Sequence, residues 1–444
     1  MRTLLVAVSV VAVASSCSPM MTPDAGGPAC PAPSGSGTMH GGSVSMAETW
    51  TAEGSPHIMP YDTSIYAPLT IEPCAVVTLA AGKTVTVNPM GSITANGTAT
   101  QPIVFKNADG AAAWSSVRFI GGTGHLSYFT FENGGDPLNS VPDLFGALDV
   151  RSSLVAPTAP EGVLFVDHVT VRGSKSPGVR LQANGGFTAD STALTITGSA
   201  SHAIVSDANV AGTIPPGSYT GNTFDDILFV DNPGIRWDMT LHERGVPYYS
   251  GGTNQNGVTG VGAIGGATPI VLTIEPGVRW KFKKGTGILS VDPGGTPSRG
   301  VLVARGTAEK PIVFTSDSAT PMAGDWLGIW IGGDDSRNVL DHVRIEYAGK
   351  LIGNTGSNSC QSVMDGVHTN GGAIRVYHAP PSSLISNTEF VASETNAIDR
   401  GWRDDNQPSF IGVGAGNTFT GIGQCKETQP RNSNGACPMG PVCP

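Results

Sequence analysis

Charge is scarce in this 444-residue chain. Asp, Glu, Lys and Arg make up 14% of it, against roughly a quarter in an average soluble domain. Basic side chains are the scarcer sign, 25 against 35 acidic ones, for a formal net charge of −10. That balance excludes a dedicated nucleic-acid binder, which carries a basic surplus. Long amphipathic helical runs are missing from the body of the chain. No Cys-x-x-Cys occurs, and the nine His include no tight pair at metal-ligand spacing, which leaves little ground for a zinc site. What fills the chain instead is 60 Gly and 33 Pro, residues that break helix interiors. The apolar content of 39% is too high for wholesale disorder. Composition therefore calls for an all-β protein with many turns.

The first seventeen residues read as an address. Met1-Arg2-Thr3 is a short basic start, and Leu4 to Ala14 is apolar except for Ser9. That run is too short to span a bilayer permanently. Ala14-Ser15-Ser16-Cys17 follows and resembles the lipobox of bacterial lipoproteins, without the usual Leu at its first position. The resemblance implies cleavage before Cys17, lipidation of Cys17 and attachment to a membrane through the lipid anchor. Ser18, where an Asp often means inner-membrane retention, implies the outer membrane, at its periplasmic face or the cell surface. The plainer alternative is an ordinary secretory signal cleaved near Ser16. Residues 18–47, rich in Pro, Gly, Ser and Met, read as a flexible tether. Six further Cys remain, at 30, 74, 360, 425, 437 and 443. An even number in an exported chain suggests disulfides. Cys437 with Cys443 and Cys360 with Cys425 are the candidate pairs, although connectivity is not deducible from spacing.

The body repeats itself over a long period. Leu69-Thr70-Ile71-Glu72-Pro73 returns as Leu272-Thr273-Ile274-Glu275-Pro276, and Pro102-Ile103-Val104-Phe105 as Pro311-Ile312-Val313-Phe314. Trp114 matches Trp326, Gly146-Ala147-Leu148 resembles Gly372-Ala373-Ile374, and Gly221-Asn222-Thr223-Phe224 returns as Gly416-Asn417-Thr418-Phe419. The order is kept throughout, so the chain divides into related halves, 48–231 and 232–422, with a Cys-rich C-terminal tail or cap at 423–444. Within each half apolar residues alternate, as at Ile103 and Phe105 or Val343 and Ile345, the spacing that puts side chains on one face of a strand. Phe105 and Phe314 are expected to face the core, with Val104 and Val313 outward. Asn222 and Asn417 are expected in the left-handed conformation at tight turns.

Short strands at close spacing allow a sandwich, a propeller or a solenoid. The phrases Leu272 to Val278, Gly306 to Ser316, Gly324 to Ile329 and Leu340 to Gly349 resemble exported right-handed parallel β-helix proteins with a pectin-lyase-like fold. That resemblance covers most of Thr49 to Phe419 and implies on the order of a dozen coils, a rod roughly 60 Å long. It also implies where chemistry belongs, because enzymes of this fold cleave acidic polysaccharides by paired carboxyls or by Ca²⁺-assisted elimination. Asp334-Asp335 and Asp341-His342 are the catalytic candidates, but neither family's full motif is present, and Asp is a common turn residue. Trp330, together with Trp402-Arg403-Asp404-Asp405, supplies aromatic and charged groups as binding candidates. The resulting expectation is a surface-tethered, non-catalytic β-helix lipoprotein of the cell envelope. It would be structural or would bind polysaccharide or another envelope component, with no cofactor. The alternative is a lyase or glycoside hydrolase acting on acidic polysaccharide, the lyase with Ca²⁺.

Overall fold

The computed structural model describes residues 29–33, 35–108, 110–135, 145–153, 159–230, 234–251, 258–262, 268–291, 300–332, 335–350, 363–364, 367–368, 371–376, 379–400, 416–428 and 443. Short strands stack coil upon coil in parallel. Val85, Val117, Leu148, Val179 and Ile204, from five successive coils, lie side by side in register, and all five are buried. Such columns run through the chain and form one continuous core. The protein is a parallel β-helix.

A 14-stranded sheet runs from Ser43–Val44 to Thr418–Thr420 and spans both halves. Elsewhere the halves differ. In the first, Thr123–Glu132 and Glu161–Arg172 continue round a corner and join two faces into one 12-stranded sheet. The corner residues Tyr128 and His168 take up the bend with positive φ, 46° and 54°. In the second, the two remaining faces are separate five-stranded sheets.

The halves are also out of phase. Ile103–Asn107 belongs to the 12-stranded sheet, whereas its repeat counterpart Ile312–Ser316 belongs to the 14-stranded one. Ser116–Ile120 is in the 14-stranded sheet, and its counterpart Gly328–Ile331 is in a five-stranded sheet. The second half is therefore turned by one face about the axis relative to the first. The joint holds the 3₁₀ turn Ala208–Thr213, which takes a strand's place between Gly185–Phe187 and Met239–Leu241.

Alternation decides the faces as expected. Phe105 and Phe314 are buried in the core, and Val104 and Val313 on the outer face are only partly covered. The matched Trp114 and Trp326 do one job: each donates its indole N–H to a backbone carbonyl, Glu132 O at 2.8 Å and Glu346 O at 2.7 Å. At the N-terminal end Trp50 stacks on His57, and its ring also lies 4.1 Å from that of His40, so aromatic rings close the column.

Three expectations need correction. Asn222 and Asn417 do not adopt positive φ; Gly221 and Gly416 before them do, at 87° and 74°. The asparagines act by bridging coils instead. Asn222 accepts from Ser199 N–H and donates to Ile196 O, and Asn417 accepts from Thr388 N–H. The solenoid begins before Glu48, since Thr38–Met39 already pairs with His57–Met59, and Cys30 is bonded to Cys74. This shortens the tether expected at 18–47. Finally, Cys425 pairs with Cys443, not with Cys360, which also excludes Cys437–Cys443. Cys360 and Cys437 themselves lie outside the described residues. The pairing follows from where the tail passes: Ala397 N–H and Ile398 N–H donate to Cys425 O and Lys426 O, tying the tail to the last coil.

Because Phe314 fills the column and Val313 does not, Phe314→Ala should cost roughly 3–5 kcal/mol. Val313→Ala should cost less than about 1 kcal/mol. Urea unfolding of both variants checks this, and equal losses would mean that the faces are misassigned.

Candidate functional site

The acidic candidates are occupied by the architecture. Asp335 sits in a turn before Val339–Asp341, where its carboxylate accepts from Arg337 Nε at 2.9 Å and Nη2 at 2.7 Å. The Arg337 bonds hold this carboxyl below its usual range. Asp341 reaches the next coil and accepts from Ser386 Oγ at 2.9 Å and Asn387 Nδ2 at 2.8 Å. Burial pushes its pKa up, but those two bonds and the adjacent His342 outweigh it, and the net shift is downward. His342 is the corner residue itself, with φ 51°. Asp167-His168 repeats the device in the first half, where the His168 ring stacks on Tyr128 at 4.5 Å. Asp-His is thus a way of turning the corner, and a carboxylate held ionised by its neighbours is a poor proton donor.

Asp334 lies outside the described residues, as do Trp402, Arg403, Asp404 and Asp405, and Cys17. Among the described residues no group of three or more His, Cys, Asp and Glu side chains is placed to hold a metal ion.

Trp330 leads to a different constellation. It is outward-facing and partly exposed, and in register it lies between Ser290 and Arg375, with Asp399 next in the row. Arg375 Nε is 3.3 Å from Asp399 Oδ2. The first half carries a related charged row at the equivalent strand positions, with Arg118, Asp149 and Arg180 in the places of Trp330, Arg375 and Asp399. Each charge stands between two inward apolar residues: Val117-Arg118-Phe119, Leu148-Asp149-Val150, Val179-Arg180-Leu181. Although they belong to the outer face, Asp149 and Arg180 are only 2% and 3% exposed. The Phe145 ring covers the Arg118 guanidinium at 3.8 Å. Gln182 Nε2 donates to both oxygens of Asp149, at 2.8 and 3.0 Å. Arg180 Nη2 is 3.6 Å from Asp207 Oδ1.

Burial dominates the electrostatics. It pushes Asp149 from 3.8 up to about 6, against the opposing pull of Gln182 and of Arg118, Arg180 and Arg151. Arg118 is lowered by burial in the same way. A carboxyl so deeply buried, with both oxygens taken by Gln182, is part of the packed wall and out of reach of a polymeric substrate. The single-residue pattern apolar–charged–apolar was visible in the sequence. Its recurrence at one position in successive coils becomes visible only when the coil phase is known.

The folded-state value of Asp149 lies above its unfolded value, so the folded chain holds the proton more tightly. Its stabilising share is present below about pH 4 and is lost as pH rises through about 6, to a total of about 3 kcal/mol. Asp149→Asn should flatten that decline in the unfolding midpoint between about pH 4 and 7. An unchanged slope would reject the raised pKa.

Comparison with known proteins agrees with the architecture. A family model described as a pectate-lyase-like β-helix domain matches residues 264–362, a stretch of the second half that includes Trp330, Asp335 and Asp341. No curated protein and no solved structure matches the chain.

Proposed function

We propose that the chain is a lipid-anchored, non-catalytic β-helix of the cell envelope that binds polysaccharide along its flank. Trp330, partly exposed on the outer face of its strand, is the observation that carries this reading. An indole offers a face on which a sugar ring stacks. Arg375 in the next coil is buried and paired with Asp399, so it belongs to the wall of the rod and not to the binding face. The anchor is Cys17, and the outer membrane is its destination. Asp335 and Asp341, bonded into turns, give no support to catalysis.

Two experiments test this reading. Cys17→Ala should release the chain from the membrane fraction into the soluble envelope; unchanged partition would reject the anchor. The chain with Cys17→Ser, otherwise intact, should bind glycans on an array, and Trp330→Ala should weaken binding by roughly tenfold or more. The expected result of the parallel assay is no unsaturated product from uronate polymers. Product formation would replace the binding reading with a lyase one.

A further inference from the structure

Seven large apolar side chains are strongly exposed among the described residues, and five of them fall between Met39 and Met90. Scattered exposure of this kind is ordinary. Three of the five are not scattered. Met46, Tyr66 and Met90 follow the strands Ser43–Val44, Thr63–Ile65 and Thr84–Val87, which stack directly with Val44, Ile65 and Val87 in register. Each precedes a strand of the next face, Glu48–Trp50, Pro68–Ile71 and Ser92–Asn96, and these strands also pair in order. The three side chains therefore occupy one corner of three successive coils, about 4.8 Å apart along the rod. They are 77%, 48% and 87% exposed. In the following coil the corner is Gly121-Gly122, and the ridge stops.

Met90 adds an independent argument. Its φ is 75°, a conformation that favours Gly or Asn and disfavours a side chain such as Met. Tyr128, His168 and His342 tolerate the same conformation at other corners, but Met90 does so with 87% of its surface exposed.

The chain's own connections say what lies nearby. Cys30 is bonded to Cys74, at the next corner of the same coils. The face between the two corners presents Thr49, Thr70 and Thr94 in register, a row without charge. Only twelve residues lie between Cys17 and Cys30, a span of at most about 45 Å when fully extended. We infer that Met46, Tyr66 and Met90 insert at the headgroup–acyl boundary of the bilayer that holds the lipidated Cys17, docking the N-terminal coils on the membrane. The inference rests on the anchor proposed above. Methionine supplies adaptable apolar area, and tyrosine suits the membrane–water interface. With no cation in the ridge, the contact is apolar and insensitive to salt.

The test uses the full lipidated chain carrying Met90→Cys or Met46→Cys, labelled with a polarity-sensitive fluorophore and reconstituted into phosphatidylcholine vesicles containing brominated acyl chains. Met322→Cys, at a residue 60% exposed in the second half, is the control. We expect the labels at 46 and 90 to lose at least half of their emission and the label at 322 to keep it, at low and high salt alike. Chains that float with the vesicles but show no quenching at 46 and 90 would leave the anchor standing and overturn the docking. Labels shielded from aqueous iodide without bromolipid quenching would assign the ridge to a second copy of the chain, which also overturns it. Failure to float would overturn the anchor and the docking together.

Discussion

Everything in this protein depends on stacking: no coil can bury its inner face without the coils on either side. A strand of four residues such as Val76–Leu79 presents two inward side chains and leaves its backbone donors and acceptors open on both edges. Both needs are met by neighbours, here His57–Met59 on one side and Ile103–Asn107 on the other. Stability is therefore cumulative and passes from neighbour to neighbour. The ends are the weak places, because there an edge and a core layer face solvent. Each end carries a covalent clamp, Cys30–Cys74 at one and Cys425–Cys443 at the other. Neither joins distant coils. Each fixes the segment that closes the column, which is where a solenoid without further coils needs help.

The fold was legible because stacking imposes a local grammar. Apolar residues at every second position, glycines at corners and a phrase returning in order point to short strands in a duplicated all-β chain, and the resemblance of those phrases to pectin-lyase-like proteins narrows this to a parallel β-helix. Faces followed from alternation alone, as Phe314 and Val313 demonstrate. Quantities set by the phase between coils were not legible. Asn222 has the composition of a left-handed turn residue, yet Gly221 takes that conformation, and the asparagine spans from one coil to the next. Cys425 finds Cys443 because the tail runs along Asn396–Arg400, a path that no spacing rule contains. The duplication was plain in the sequence, but the one-face rotation between the halves was not. It arises at a joint where a 3₁₀ turn stands in for a strand.

The candidate site was partly legible for the same reason. Trp330 was legible as an aromatic without an aromatic counterpart, since Arg118 occupies its place in the first half, whereas its outward face follows only from the structure. Its partners Arg375 and Asp399 come from coils 45 and 69 residues further on, and only register brings them into one row. Conversely, Asp341-His342 looked chemical because an acid beside an imidazole is a familiar catalytic pair. In the structure the histidine bends the chain and the carboxylate braces the coil beyond it.

The outer rows carry the remaining argument. Buried ion pairs seldom stabilise a fold more than well-packed apolar residues do, because desolvation offsets most of the attraction. The raised pKa of Asp149 and the lowered one of Arg118 are that penalty expressed in protonation. A duplicated scaffold free to drift would replace such a row with valine and leucine, as it does further along the same sheet at Val205 and Leu228. Both halves instead keep arginine next to aspartate at equivalent strand positions, with different neighbours and in different order. The rotation between the halves then acquires a consequence. Equivalent strands fall on different faces, so the two largely buried rows lie within different walls of the rod.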